Sequence, residues 1–315
     1  MIPMSTTMPY IAPLRRLAFA SLFAAAASVL PTPRAALAQS RDTSFRLVGS
    51  AVVDVTMRSG RLVVRGVEGS TGAVRGASND YQLRSSGVTL TLGPRDNELR
   101  GDDRAMELDL PRGVRLVVTT RSGDVDVRDI TGGVEVHSTS GDVRLDRVGR
   151  RVIVETVSGD VFVSGGDQVR ARTVSGDLEL RDVQGEVEVH TTSGNARIDG
   201  RDVARLSVEA MSGDVQFNGE FDAAARVQVS THSGDVMLRL PSAASGRLEF
   251  STVTGELAAG GPITLLPGDQ SGSRRGRSAR RYAFGPGGSD GDVRGLQIDL
   301  STFSGDVRLV RASRF

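Results

Sequence analysis

Cysteine, tryptophan and lysine are all absent, and every one of the 39 basic residues is Arg. Without Cys the chain can form no disulfide, no thiolate metal site, no Cys nucleophile and no lipidated N-terminal Cys. Aromatic residues are scarce, at 4%, while Gly accounts for 38 of the 315 residues. Helix-forming runs are rare after residue 40. So few large side chains cannot fill an ordinary globular interior, and the composition suits a thin β structure.

The first 38 residues stand apart. Arg15-Arg16 precede the apolar run LAFASLFAAAASVL, after which Pro31, Pro33 and the tripeptide ALA at 36–38 lead into Gln39. A basic region, a short apolar region and an Ala-x-Ala site together predict a cleaved signal peptide, residues 1–38, with no transmembrane span left in the mature chain. Arg15-Arg16 fit both ordinary export and a twin-arginine signal. The mature protein is expected in the periplasm, the cell envelope or outside the cell. Cleavage removes three Arg and no acid, so 36 Arg face 38 Asp and Glu, a net charge of −2. Nothing in that balance predicts attraction to nucleic acid.

What the rest does contain is one turn, written again and again. Ser-Gly-Asp or a close variant begins at 122, 140, 158, 175, 193, 212 and 233, with Thr254 next and Ser304 after a gap of 50 residues. The earlier spacings are 18, 18, 17, 18, 19, 21 and 21. A period near 18 dictates the architecture. Residues two, four and six places before each Ser are apolar or Thr/Ser, as in Thr156, Val154 and Val152, and so are those three and five places after it, as in Val161 and Val163. The residues between are mostly charged or polar. Each repeat therefore reads as two short strands with one buried face.

A transmembrane barrel would need strands of about 9–11 residues and aromatic girdles. The strands here are shorter, the mature chain has only two Tyr, and the terminal Phe315 is slight support for a barrel. The pattern instead predicts an all-β, parallel β-solenoid with about 18 residues per coil, equivalent residues stacking about 4.8 Å apart. Gly123, Gly141, Gly159, Gly176, Gly213, Gly234 and Gly305 are read as structural turn residues, together with Asp124, Asp142, Asp160, Asp177, Asp214, Asp235 and Asp306. The Gly permits positive φ, and the Ser or Asp side chain bonds nearby turn amides. The expected organisation is irregular N-terminal coils over 39–110, regular coils over 111–257, an Arg/Gly-rich loop or hairpin excursion over 258–293, and a final coil over 294–315.

Serial SGDV turns, the LPRG strand start at 110–113, the export signal and the late Arg/Gly insertion resemble the bacterial putative-adhesin β-strand-repeat family. The resemblance covers roughly 50–315 and implies a right-handed β-helix. It implies no catalytic residue, and the adhesin label carries no defined activity.

Stacked carboxylates repel by about 0.9 kcal/mol per neighbour at the dielectric of water. Turn amides, Arg neighbours or a cation must offset this. The calcium nonapeptide is missing and Asn195 and Glu256 interrupt the acid ladder, so no metal is predicted. His137 and His190 share a repeat position but lie three coils apart, about 14 Å, too far for one ion; with His232 they are expected to face solvent. No Ser, base and oxyanion hole converge, and no cofactor is expected.

Two features break the repeat. Arg274, Arg275, Arg277, Arg280 and Arg281 form a candidate site for anions or a partner. Val157, Val174, Met211, Val253 and Phe303 occupy one outward position and form a candidate apolar contact stripe, suited also to self-association. The sequence is therefore read as a non-enzymatic, secreted or envelope-associated binding or structural module. Its candidate partners are envelope polysaccharide, lipid headgroups or another envelope protein. The alternative is a carbohydrate-active β-helix enzyme, a lyase or hydrolase of envelope polysaccharide.

Overall fold

The computed structural model describes residues 43–47, 51–75, 81–86, 89–94, 105–261, 263–266, 278–285 and 295–312. The signal-like segment 1–38, Arg274, Arg275, Arg277 and Phe315 lie outside the described residues.

Period-two alternation becomes period-two burial. Arg151–Ser158 alternates exposed or half-exposed residues with the buried Val152, Val154 and Thr156. Its partner strand within the coil, Val161–Gly165, buries Val163 completely. Pairing is parallel and joins equivalent residues: Val154 sits between Val136 and Ala171, and Ser158 between Ser140 and Ser175. The chain is all-β, its sheet is mostly parallel, and no helix occurs among the described residues.

Each coil contributes one strand to each of two ladders, and the buried side chains of both form one hydrophobic cluster. One interior row runs through Val118, Val136, Val154, Ala171, Val189, Val208 and Val229, and an opposing row through Val127, Leu145, Val163, Leu180, Ile198, Phe217 and Leu238; all are at most 1% exposed. Every Val, Leu, Ile and Phe among them contributes on the order of 1.5–3 kcal/mol on leaving water. From Leu178 onward the strands run on through the corners, as in Leu178–Ser193, Ala196–Ser212 and Val215–Ser233.

Both ends depart from chain order. The second strand pair in sequence, Thr89–Pro94 with Ala105–Pro111, lies beneath the first pair, Val52–Met57 with Arg61–Val67. The chain then crosses over, and Arg115–Ser122 with Asp124–Arg128 stacks on the other side of that first pair. The C-terminal end mirrors this. Leu296–Ser304 inserts between Val215–Ser233 and Gly246–Thr252, and Val307–Ala312 inserts between Val236–Pro241 and Leu257–Ala259. The sequence spacing had suggested that the Thr254 turn stacks on the Ser233 turn, with Ser304 outermost. Spatially the order is Ser233, Ser304, Thr254. Coils of equal length and chemistry fit on either neighbour, so spacing along the chain does not fix their order.

Antiparallel strands cover both ends. Tyr81–Ser86 pairs with Thr89–Pro94, and Thr71–Arg75 pairs with Ala105–Pro111 and with Thr43–Arg46. At the other end Ser278–Phe284 pairs with Gly246–Thr252 and Ile263–Leu265. Part of the segment 258–293 is thus sheet. Open parallel edges invite further strand pairing, and a reversed strand interrupts the register that another coil would continue.

Candidate interaction face

The turn edge is built from three stacked rows. Gly176 has φ +125, and a Cβ there would overlap the carbonyl oxygen of Gly159 one coil away. The same close approach recurs at the other turn glycines, so the spacing of the coils itself demands Gly. Inside it, Thr156 and Thr173 hydroxyls donate to the carbonyl oxygens of Ser158 and Ser175, at 3.2 and 3.1 Å.

The acid row links coils rather than closing turns. The Asp124 carboxylate accepts from the Asp142 N–H at 3.2 Å, Asp142 from Asp160 at 3.0 Å, and Asp160 from Asp177 at 2.9 Å. Asp177 accepts from Asn195 at 2.8 Å, Asn195 from Asp214 at 3.1 Å, and Asp214 from Asp235 at 2.9 Å. The row then follows the spatial order: Asp235 accepts from Asp306 at 2.9 Å, and Asp306 from Glu256 at 3.1 Å. A short side chain with an acceptor oxygen is what this bond requires, and the Asn195 amide supplies one as well as a carboxylate does. Among the described residues, no cluster of His, Asp and Glu is arranged to hold a metal ion.

Outside the turn edge, two clusters repeat three coils apart. His137 Nε2 lies 3.0 Å from Glu135 Oε1 and its Nδ1 lies 3.2 Å from Glu155 Oε2. His190 Nε2 lies 2.8 Å from Glu188 Oε1, and its Nδ1 lies 3.1 Å from Glu209 Oε2. Arg115 donates to Glu135 at 2.8 Å and Arg170 to Glu188 at 2.7 Å. Those neighbours hold both carboxyls below the usual Glu range: Glu135 through its hydrogen bond from Arg115 and then His137, Glu188 through its hydrogen bond with His190 and then Arg170. The sequence period already put His137 one coil below Glu155. Alternation alone turns each His toward solvent and does not show the carboxylates that flank it.

Next to the second cluster is an open groove of about 670 Å³, lined among others by Arg172, Val174, His190, Glu209, Met211 and His232. The outward row beside the turns runs Val157, Val174, Thr192, Met211, His232, Phe303, Val253, in the order set by the paired turn residues. Val157 is 50% exposed, Val174 45%, Met211 60%, and Phe303 and Val253 41% each. His232 and Phe303 stack with ring centroids 4.7 Å apart. Seventy-one positions separate them in sequence, and only the inserted last coil brings them together. Leu265, exposed on the C-terminal cap, was not singled out from the sequence.

Of the Arg-rich candidates, Arg280 and Arg281 lie on the cap strand Ser278–Phe284, and Arg281 is paired with Glu249 at 3.1 Å. A second groove, of about 460 Å³, includes Gln228, Glu249, Ser251, Asp299 and Ser301. Burial, and then the charge of Glu249, push the Asp299 carboxyl up. On the opposite ladder Phe162 is flanked by Arg144 and Arg181, whose guanidinium carbons lie 4.4 and 5.3 Å from the ring centroid.

The family model Toastrack DUF4097 matches residues 82–260. No curated protein matches the chain. Solved structures similar to it include these two. One is a putative cell adhesion protein from Clostridium sporogenes, 10% identical with a TM-score of 0.23, covering 87% of this chain and 100% of that one. The other is a putative adhesin from Bacteroides fragilis, 10% identical with a TM-score of 0.29, covering 86% and 96%. At those scores neither likeness bears on fold or function.

Proposed function

This chain belongs to the Toastrack DUF4097 family, and on that premise we propose that it is an exported, non-catalytic, adhesin-like binding module of the cell envelope. In this reading the molecule is a right-handed β-solenoid with about 18 residues per coil. Its turn residues hold the coils together, and contact is made by the outward row beside them. One observation carries the reading. Of the six exposed large hydrophobic residues among those described, five lie on that single row: Val157, Val174, Met211, Phe303 and Val253. Scattered exposed apolar residues are ordinary, whereas an aligned series marks a contact surface. Seven rungs at about 4.8 Å give it a length of about 29 Å. Arg172, His190 and Glu209 beside it supply polar contacts that fix orientation.

The partner that fits an apolar row with charged flanks is another envelope protein. Capture from envelope fractions by the parent, by Met211→Glu/Phe303→Glu and by a variant with Arg274, Arg275, Arg277, Arg280 and Arg281 neutralised tests it. The row predicts salt-tolerant capture lost only in the first variant, because hydrophobic contact is not screened. Salt-sensitive capture lost only in the second variant assigns the contact to polyanionic polysaccharide or lipid headgroups instead.

The enzyme alternative has one observation in its favour. Asp299 is a carboxyl pushed up in a groove beside a second carboxylate, Glu249, and unequal acids of this kind serve glycoside cleavage. Release of reducing sugar from envelope polysaccharide by the parent, abolished in Asp299→Asn, would establish it.

A further inference from the structure

A notch in the ladder that carries the outward row is bordered by charge the fold leaves unmatched. We propose that it binds one acidic sugar residue of a polysaccharide, a uronate, through its carboxylate and one face of its ring. Arg115 and Arg151 are exposed and hold the same outward position on strands two rungs apart. Gly133 falls between them, since the next residue, Val134, pairs with Leu116 on one side and Val152 on the other. The two Arg backbones are thus about 9–10 Å apart, and the residue between them has no side chain. The result is a cavity of about 210 Å³.

Gly133 keeps that gap open. Its φ is +116, and a Cβ there would lie 3.3 Å from the Arg151 carbonyl oxygen, so a side chain is disfavoured both by conformation and by space. The same column supplies a contrast. Arg226 and Arg247 are also two rungs apart, but Gln297 stands between them.

Three Arg and one Glu border the notch: Arg115, Arg150, Arg151 and Glu135. Arg115 donates to Glu135 at 2.8 Å. The side chains of Arg150 and Arg151 have no hydrogen-bond or ion-pair partner among the described residues. Guanidinium forks match the paired oxygens of an oxyanion, so two sets of donors await one. The other walls select what carries that oxyanion. Glu135 meets Arg115 through one oxygen and His137 through the other, and each oxygen keeps a lone pair for a sugar hydroxyl. Half-buried Ile153 offers an apolar surface to the C–H face of a ring. At about 210 Å³ the notch is smaller than the roughly 300–1,000 Å³ of sites that enclose whole ligands, which suits a single ring of a polymer. A continuous anionic surface fits less well. Glu155 lies on the strand of Arg151, and Asp167 precedes Gln168, the partner of Arg151 on the next rung; both would repel headgroups laid across them.

Calorimetry of the full chain with a galacturonic acid trimer, its methyl ester, inorganic phosphate and phosphatidylglycerol vesicles tests the assignment. The parent should bind the trimer and not the ester, whose rings are the same without the charge. Arg150→Gln/Arg151→Gln should weaken binding about tenfold or more. Its melting temperature should match the parent's, because neither guanidinium has a partner to lose. Arg226→Gln/Arg247→Gln removes equal charge from the same column outside the notch and should bind as the parent does. Failure of the parent to bind the trimer, equal binding of acid and ester, or equal losses in the two variants would overturn the proposal. So would a parent that takes up phosphate or vesicles and ignores the trimer.

Discussion

Between Arg115 and Pro241 the coils stack in the order in which they are written; at either end they do not. The two regions share the same turn, the same alternation and the same buried rows. They differ in what lies beyond the last rung. An interior coil is satisfied on both sides by a copy of itself. An end coil has an edge to hide, and here the end is formed by a reversed strand together with a coil taken out of sequence order. Local chemistry thus makes a coil, but termination makes the topology.

That contrast can be broken at specific residues, most strongly in the interior core. Val154→Asp places an unpaired charge on a completely buried position and should cost several kcal/mol. Glu155→Ala, its outward neighbour, should be close to silent in the same thermal melt. Equal losses would mean that the register is wrong.

Gly176→Ala should follow, at roughly 3 kcal/mol, combining strain in the left-handed region with overlap onto the coil below. Gly69, near the N-terminal end, also has a left-handed φ of +101, but no residue beyond its own chain neighbours lies within 4 Å of where its Cβ would be. Gly69→Ala should therefore lose only about 1 kcal/mol, the conformational part alone. Chemical denaturation of the two variants separates strain from coil spacing.

Asp177→Ala removes an acceptor between two interior coils and should cost about 1 kcal/mol. Asp177→Asn should be near neutral, since Asn195 already serves the same row. Glu256 donates the last bond of that row from its backbone N–H, so Glu256→Ala should stay within about 0.5 kcal/mol. Comparable melting losses for Asp177→Ala and Glu256→Ala would remove the distinction between interior and end.

The smallest effect concerns pH. The folded state depresses the Glu135 and Glu188 carboxyls. Their contribution is therefore complete above the unfolded Glu value, about 4.3, and declines as pH falls through the lower folded values. Both sites are open to solvent, so each should contribute under about 1 kcal/mol. Glu135→Gln/Glu188→Gln should flatten the dependence of melting temperature on pH between about 5 and 3. Asp299 has the opposite sign: burial favours its neutral form, so Asp299→Asn should raise the melting temperature slightly at neutral pH.

The all-β class, the parallel pairing and the identity of the buried rows were legible because a period-two pattern inside a longer period buries the Val, Leu and Ile of both alternating rows at once. Asp142 and its equivalents were legible as a recurring turn position, though not as inter-coil acceptors, since the sequence does not say which amide a carboxylate faces. The stacking of His232 on Phe303 was not legible. It depends on where the last coil inserts, and Ser233, Thr254 and Ser304 turns are chemically interchangeable as neighbours. Arg280 and Arg281 read as part of a loop because Gly-rich sequence surrounds the short run Ser278–Phe284, whose pairing is set by the end it covers.

The most direct test of this account is the order of the coils at the C-terminal end, read by intramolecular disulfide formation in dilute, folded protein. Ser301 lies one rung from both Ser230 and Ser251, while Ser230 and Ser251 are two rungs apart, a separation of about 9–10 Å. Ser230→Cys/Ser301→Cys should therefore close readily, and Ser230→Cys/Ser251→Cys should remain reduced under the same conditions. Closure of the 230–251 pair in place of 230–301 would place the coils in chain order and contradict the account.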